Sequence, residues 1–347
     1  MARRPGSTRR STAVVAASLA LAIAAGCGRG SGLPRELTNQ EFWRLFETFS
    51  EPGRSVGMSE NYVSNEPRVA ENARWLRPSG GVYLGVGPEQ NFTYIANLRP
   101  RMAFIVDLRR ENADLHFLYK ALFELSENRV EFVSRLFSRP TPADVPPASD
   151  VDDIFDAAEG AASSRALLAR TSAQVRVHLL TTRALPLEQR DLDAIDRALQ
   201  AFHDGGPAID YWRLQSVDKD TIRPSYRRLM TMPDLVGQTR SFLADDAAFR
   251  FVKDLHGRNL IVPIVGDFGG AQAIRRVGTY VREHHDAVGA FYGSNVAVYL
   301  TNQQMHAFCG NLAALPVHRG ATFMDSKSVI PFTTRLEACK GGQAPRP

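Results

Sequence analysis

The stretch that most constrains the fold of this 347-residue chain is GGVYLGVGPEQNFTYIANLRPRMAFIVDLRREN, residues 80–112. It opens with a short β-prone run, Val82–Leu84, which is followed by Gly85 and Gly87. Glycines lack a Cβ atom, so they permit a tight turn and a close approach of the backbone to a ligand. The sequence therefore predicts a strand that ends in a tight turn.

A second apolar run follows at the distance of one helix. Pro88 suits the first turn of a helix and Glu89 is favourable near the positive end of its dipole, so we expect a helix over residues 88–98. Met102–Leu108 is a continuous apolar run of the kind buried on both faces in a parallel sheet. Asp107 lies near its carboxyl end, where an acid about 20 positions beyond the glycines binds ribose hydroxyls in Rossmann-type folds. The alternative is a βαβ unit whose glycines serve only the turn.

This pattern resembles the class I S-adenosylmethionine-dependent methyltransferases, which hold their cofactor with a Gly-x-Gly turn after the first strand and an acid that ends the second. Together with YVSNE at residues 62–66, it also resembles a group of uncharacterised bacterial lipoproteins. The chain departs from the methyltransferase pattern because Gln90 replaces the third glycine of the dinucleotide fingerprint and no acid stands just before Gly85, where many members carry one. The resemblance implies S-adenosylmethionine as cofactor and the following contact residues: Gly85, Gly87, Glu89, Gln90, Asn91 and Asp107.

The N-terminus is typical of an exported bacterial lipoprotein. Residues 1–27 combine four arginines with a short apolar core, Ala13–Ala25, and end in a lipobox-like Ala-Ala-Gly-Cys. We expect Cys27 to be lipidated, which would anchor the protein on the outer side of the cytoplasmic membrane or in the outer membrane. A cleaved signal without lipid, or an uncleaved anchor, remains open, as does the choice between general and twin-arginine export.

Net charge gives no reason to expect nucleic-acid binding. The formal charge is +5, but residues 1–27 hold four arginines and no acid, which leaves +1 for the rest of the chain. A nucleic-acid interface requires a concentrated basic face.

The chain has three cysteines. If Cys27 carries lipid, Cys309 and Cys339 are left as an even number in an oxidising compartment, so a disulfide between them is one alternative and two free thiols the other. The histidines and cysteines of the sequence do not have the spacing of a known metal-binding motif, so we predict no metal site.

Domain organisation follows from changes in composition and apolar periodicity. We expect one large α/β domain with a Rossmann-like, mostly parallel sheet, flanking helices and a helical insertion. The segments are a signal peptide (1–27), helices and the first half of the sheet (28–138), a Pro/Asp/Ala-rich loop (139–164), the helical insertion (165–257), the second half of the sheet (258–340) and a tail (341–347).

The second half predicts further strand–helix alternation. A helix over residues 239–256 precedes the apolar strand Leu260–Phe268, and another helix runs from the glycines after it to His285. Ala287–Leu300 predicts one long strand, or two joined at Gly293. Such alternation indicates parallel pairing with right-handed crossovers.

Four further residues are candidates for the substrate side of a site. Asp267 follows its strand as Asp107 follows its own, so both are expected to face one crevice. Tyr62, Asn65 and Glu66 precede a predicted helix at Pro67, where they either cap it or contact a ligand.

Two functions of different class remain open. The first is a lipoprotein that uses this fold to bind a small polar or nucleoside-like ligand, or an envelope protein, without catalysis. The second is an S-adenosylmethionine-dependent methyltransferase of unknown substrate. Export favours the first, because S-adenosylmethionine is a cytosolic metabolite and an absent ligand gives no occupancy.

Overall fold

A computed structural model of the protein describes residues 1–2, 32–53, 61–211 and 224–341. Residues 3–31, with the signal segment and Cys27, and residues 342–347 of the tail lie outside the described part. The sheet and helices described below belong to the compact unit that begins at Gly32.

A six-stranded sheet lies at the centre of this unit, in the order β3-β2-β1-β4-β5-β6. The first five strands in this order pair in parallel and β6 pairs antiparallel to β5. The predicted α/β class with a mostly parallel sheet is confirmed, and the order follows that of doubly wound nucleotide-binding sheets. The strands are β1 Val82–Gly85, β2 Met102–Asp107, β3 Ile261–Val265, β4 Val288–Tyr292, β5 Val317–Met324 and β6 Val329–Pro331.

Helices cover both faces of the sheet. One layer holds α11, whose Tyr280 contacts Phe104 of β2. The other holds α3, α4 and α10, which meet around Phe92. Helix α1 contacts both layers, because its Phe49 lies against Phe104 and its Phe46 lies against Phe117 of α4. The α-helices of the described residues are α1 Asn39–Phe49, α2 Val69–Arg74, α3 Gln90–Leu98, α4 Arg110–Leu125, α5 Arg129–Leu136, α6 Val151–Gly160, α7 Arg165–Val177, α8 Gln189–Gly205, α9 Tyr226–Thr231, α10 Asp246–Gly257, α11 Ala273–Glu283, α12 Asn302–Ala313 and α13 Phe332–Lys340.

The β1–α3–β2 unit forms as its local sequence predicts. Every residue of β1 and β2 is buried, as expected for strands covered on both faces. The helix ends at Leu98, because the next residue, Arg99, has a left-handed backbone with φ 50°. Pro100 follows, and proline disfavours helical geometry in the residue before it.

The predicted loop over residues 139–164 is wrong for Val151–Gly160, which forms α6. Its composition resembles that of a linker, but its apolar residues are spaced three or four apart and face the core. Two acids in its first turn also stabilise the positive end of the helix dipole. These buried residues are Val151, Ile154, Phe155 and Ala158.

Two other boundaries differ from the predictions. Helix α10 begins only at Asp246, because the Asp245 side chain accepts a hydrogen bond from the Ala248 amide and caps it there. The predicted strand over 287–300 ends at Tyr292, since Ser294 adopts a left-handed φ of 48° and a short 3₁₀ turn, Val296–Val298, follows.

The C-terminal part adds a hairpin and two helices. Strands β5 and β6 form the antiparallel edge, and α12 and α13 are joined by a Cys309–Cys339 disulfide with Cα atoms 5.5 Å apart. Within the described ranges, no helix has the length and apolar content required to cross a bilayer.

Candidate functional site

A cleft of about 520 Å³ opens where β1 to β4 end. We call it the switch-point cleft, because β1 is the strand from which the chain order runs in opposite directions, and doubly wound sheets bind ligands at that point. The walls include the predicted residues Asn65, Glu66, Gly87, Gln90, Asp107 and Asp267, together with Asn61, Ser64, Arg109, Tyr211, Ser294 and Asn295. Predicted residues Tyr62, Gly85, Glu89 and Asn91 are buried but do not line the cleft.

The glycine turn is held from behind by side chains. The Asn91 amide nitrogen lies 3.0, 3.0 and 2.8 Å from the carbonyl oxygens of Val86, Gly87 and Pro88, and its oxygen accepts from the Tyr83 hydroxyl at 2.8 Å. A Cβ atom on Gly85 would collide with this Asn91–Tyr83 pair. Gly85 is therefore required by packing beneath the turn.

Gly87 has a positive φ of 81°, which disfavours any residue with a side chain. Gln90 occupies the position of the third glycine of the dinucleotide fingerprint, and its side-chain amide donates to the Val86 carbonyl at 3.0 Å. His116 contacts the Gly87 carbonyl oxygen with Nε2 at 2.9 Å, and burial lowers the pKa of His116 to about 4. A neutral imidazole whose Nε2 carries the proton therefore donates to the turn.

Asp107 lies in the cleft as predicted, but its carboxylate is already bound. Its Oδ1 accepts from the Arg109 amide at 3.0 Å and from Arg109 Nε at 3.1 Å, while its Oδ2 accepts from Arg109 Nη2 at 3.2 Å. This two-pronged pair is the strong geometry for arginine and carboxylate. A ribose diol would have to displace Arg109 to bind both oxygens.

Glu66 is buried in the opposite wall. Ser294, whose left-handed backbone follows β4, donates its hydroxyl to Glu66 Oε1. Burial is the main cause that raises the pKa of Glu66, and the hydroxyls of Ser294 and Tyr292 only partly oppose it. A neutral carboxyl therefore becomes more favourable in this wall.

Glu89 fixes the segment that carries Glu66. Both of its carboxyl oxygens accept from the Ser64 amide, at 3.0 and 3.2 Å. Burial raises the pKa of Glu89 to about 8. Glu89 was predicted to contact a cofactor, but its carboxyl group binds the chain segment beside the cleft.

Three buried side-chain oxygens of cleft-lining residues have no hydrogen-bond partner among the described residues. They are Asn61 Oδ1, Glu66 Oε2 and Gln90 Oε1. Buried polar atoms are rarely left unpaired in folded proteins, because desolvation without a new hydrogen bond costs free energy. The two amide oxygens can only accept, whereas Oε2 of a neutral Glu66 carboxyl can also donate, so a ligand whose hydroxyl groups both donate and accept would satisfy all three.

Asp267 also lines a neighbouring cleft of about 610 Å³. Its side chain accepts from the Gly269 amide at 2.8 Å. In this second cleft the Glu51 carboxylate accepts from the amides of Gln272 and Ala273, at 2.8 and 3.0 Å, at the start of α11. An acid of the chain itself therefore occupies that helix N-terminus, so the first cleft is the better candidate.

The sequence analysis missed six of the polar or aromatic residues that line the cleft: Asn61, Ser64, Arg109, Tyr211, Ser294 and Asn295. Arg109 follows Asp107 closely enough to suggest the pair, and Gly293-Ser294 after a strand signals a turn. Asn61 carried no signal. The described residues hold no cluster of three histidine, cysteine or acidic side chains fit for a metal ion.

The fold and cleft define an α/β protein with a Rossmann-like sheet and a ligand cleft at its switch point. The chain belongs to the family described as a domain of unknown function, DUF7790, whose model matches residues 61–144 and 154–335. Among curated proteins, none matches the chain.

Proposed function

We propose that this protein binds a small polar ligand, rich in hydroxyl groups, in the switch-point cleft and does not transform it. The observation that carries the proposal is the set of three unpartnered side-chain oxygens on Asn61, Glu66 and Gln90. Their position around a cleft of about 520 Å³ suits a small molecule.

The state of the ionisable groups supports binding without catalysis. Asp107 is engaged by Arg109, so its carboxylate is not free to act as a base. We also propose that binding takes place outside the cytoplasm, since the sequence predicts export and lipidation at Cys27.

The test is to identify what the protein carries. Protein purified from its own envelope is denatured and the released small molecules are analysed by mass spectrometry. We expect one polar compound at close to equimolar amount from the wild type, and none from Asn65→Trp, which fills the cleft. Gln189→Trp, an exposed change at the start of α8, should retain the compound. Equal amounts from both variants would place the ligand elsewhere, and none from the wild type would contradict the proposal.

A second candidate, a methyltransferase, is favoured by one observation: Gly87 and Asp107 line the same cleft, as that family's cofactor site requires. Calorimetric titration with S-adenosylmethionine, S-adenosylhomocysteine and adenosine separates the two candidates. Our proposal expects no detectable binding, because Arg109 occupies the ribose acid. Binding that Asp107→Ala weakens by about 1.5–3 kcal/mol, the range for hydrogen bonds to a charged group, would instead support the methyltransferase. Arg109→Ala is the control. It leaves the Asp107 carboxylate in place, so it should not weaken binding in the way that Asp107→Ala does.

A further inference from the structure

A second feature lies outside the cleft: an apolar surface formed by Trp75, Leu235 and Val236, here called the Trp75 surface. The three residues are 58%, 80% and 55% exposed. Single exposed apolar residues are ordinary, but a group of large ones on one surface indicates an interaction site.

The loop that presents Leu235 and Val236 is well ordered by Asp234. The buried carboxylate of Asp234 accepts from the amides of Val236 and Gln238, each at 2.9 Å, and from Arg240 Nε at 2.8 Å. These bonds fix the loop with its two aliphatic side chains in solvent, an arrangement that gains nothing from folding alone.

One carboxylate joins this loop to Trp75. Glu71 of α2 accepts from the Leu235 amide at 3.2 Å with Oε2 and from the Trp75 indole nitrogen at 3.1 Å with Oε1. The three apolar side chains therefore belong to one surface although they come from distant parts of the chain.

Arginines accompany this surface. The Arg74 guanidinium lies 5.0 Å from the centre of the Trp75 ring. Arg68, which precedes α2, and Arg77, two residues beyond Trp75, are exposed. The acids nearest by contact are engaged: Glu71 pairs with Arg74 at 3.5 Å, and Asp234 is buried against Arg240. Arg77, whose Nη1 donates to the carbonyl oxygens of Arg74 and Leu76, is thus an exposed cation close to Trp75 in the chain.

We propose that the Trp75 surface docks on an anionic membrane surface. Tryptophan favours the membrane–water interface, aliphatic side chains enter the acyl boundary, and arginines attract anionic headgroups. A lipid on Cys27 would bring the chain to a membrane, where such a surface would meet anionic headgroups. The proposal does not depend on the ligand in the cleft.

The test uses the full chain with Cys27→Ala, so that no lipid is attached, and vesicles of phosphatidylglycerol and phosphatidylcholine. We expect sedimentation with phosphatidylglycerol-rich vesicles that weakens as salt rises. Leu235→Ser/Val236→Ser should weaken it by about tenfold, because two aliphatic side chains are withdrawn from the interface. Any contribution of residues 1–27 is the same in both proteins and cancels in the comparison.

The matched control is Val177→Ser/Leu180→Ser, which removes two exposed aliphatic side chains elsewhere. It should leave vesicle binding unchanged, and circular dichroism should show that all variants fold. Brominated lipid should quench part of the tryptophan fluorescence of the vesicle-bound parent protein. This quenching should be lost in Trp75→Ser. Equal binding by the Leu235/Val236 variant and its parent would overturn the proposal. The proposal would also be overturned if the parent protein formed a dimer that did not bind vesicles and that was lost only in the Leu235/Val236 variant. That result would assign the surface to a second copy of the chain.

Discussion

At the residue scale, the buried carboxyl of Glu89 links the glycine turn to the segment that holds Asn65 and Glu66. It is fully buried and contacts the Ser64 amide with both oxygens. Since a neutral carboxyl also accepts hydrogen bonds, the contact survives protonation. Its raised pKa therefore makes stability depend on pH.

The first prediction concerns Glu89→Gln. The pKa of Glu89 is about 8 in the folded protein, against 4.5 for the free side chain. The contribution of neutral Glu89 to the free energy of unfolding is complete below pH 4.5 and is lost as pH rises through 8. The reason is that Glu89 of the unfolded chain releases its proton at a lower pH than Glu89 of the folded protein. Across that interval the wild type should lose up to about 1.4 kcal/mol per pH unit relative to Glu89→Gln. Urea unfolding at several pH values measures this difference, and parallel pH profiles would contradict it.

The pairing of Asp107 with Arg109 shows why residue roles are hard to read from sequence. The position of Asp107 at the end of β2 could be predicted from local pattern. Its hydrogen bonds depend on the rotamer of Arg109 and the backbone between them, which no local pattern specifies. Glu66 and Ser294 are 228 positions apart, so their contact follows only from the assembled sheet.

At the scale of elements, the β1–turn–α3 unit is stabilised by packing under its glycines. The Asn91 side chain occupies the space beside Gly85 and binds three carbonyl oxygens of the turn. The turn geometry is therefore built into the core and does not need a cofactor to form.

Gly85→Ala is the second prediction. The new methyl group would overlap Asn91 and the Tyr83 hydroxyl, so we expect a loss of about 1–3 kcal/mol in unfolding free energy, as for overpacked cores. Gly160→Ala is the control, because a Cβ at Gly160 meets no atom within 4 Å. Denaturant unfolding compares the two, and an unchanged stability for Gly85→Ala would contradict the packing role.

The third prediction concerns the tether between α12 and α13. In a Cys27→Ala background, unreduced protein should take up no alkylating reagent, because Cys309 and Cys339 are joined. Replacing both by alanine should cost about 3–4 kcal/mol, the chain-entropy value for a loop of this size. Intact mass and denaturant unfolding are the measurements. Two alkyl adducts on the folded protein would contradict the pairing.

Elements with strong local patterns were predictable and the others were not. β1, α3 and β2 follow from glycine, proline and a continuous apolar run within residues 80–112. The composition around α6 concealed four apolar residues at helical spacing. Strand β4 ends early because Ser294 takes a positive φ, a conformation that a sequence signals clearly only at glycine.

At the scale of the whole molecule, the protein combines a cleft at the sheet's switch point with an exposed Trp75 surface. Export is a prediction from residues 1–27.

The fourth prediction tests export. The wild type should incorporate labelled palmitate and partition with membranes, whereas Cys27→Ala should incorporate none, because the acceptor thiol is absent. Cys309→Ala/Cys339→Ala is the control and should label normally. Equal labelling of wild type and Cys27→Ala would contradict lipidation.

Ligand binding in the switch-point cleft is tested most directly by a crystal structure of the protein purified from its own envelope. We expect a small molecule in the cleft whose polar groups lie within about 3.2 Å of Asn61 Oδ1, Glu66 Oε2 and Gln90 Oε1. A cleft that holds only water, with these three oxygens turned to donors of the protein itself, would contradict it.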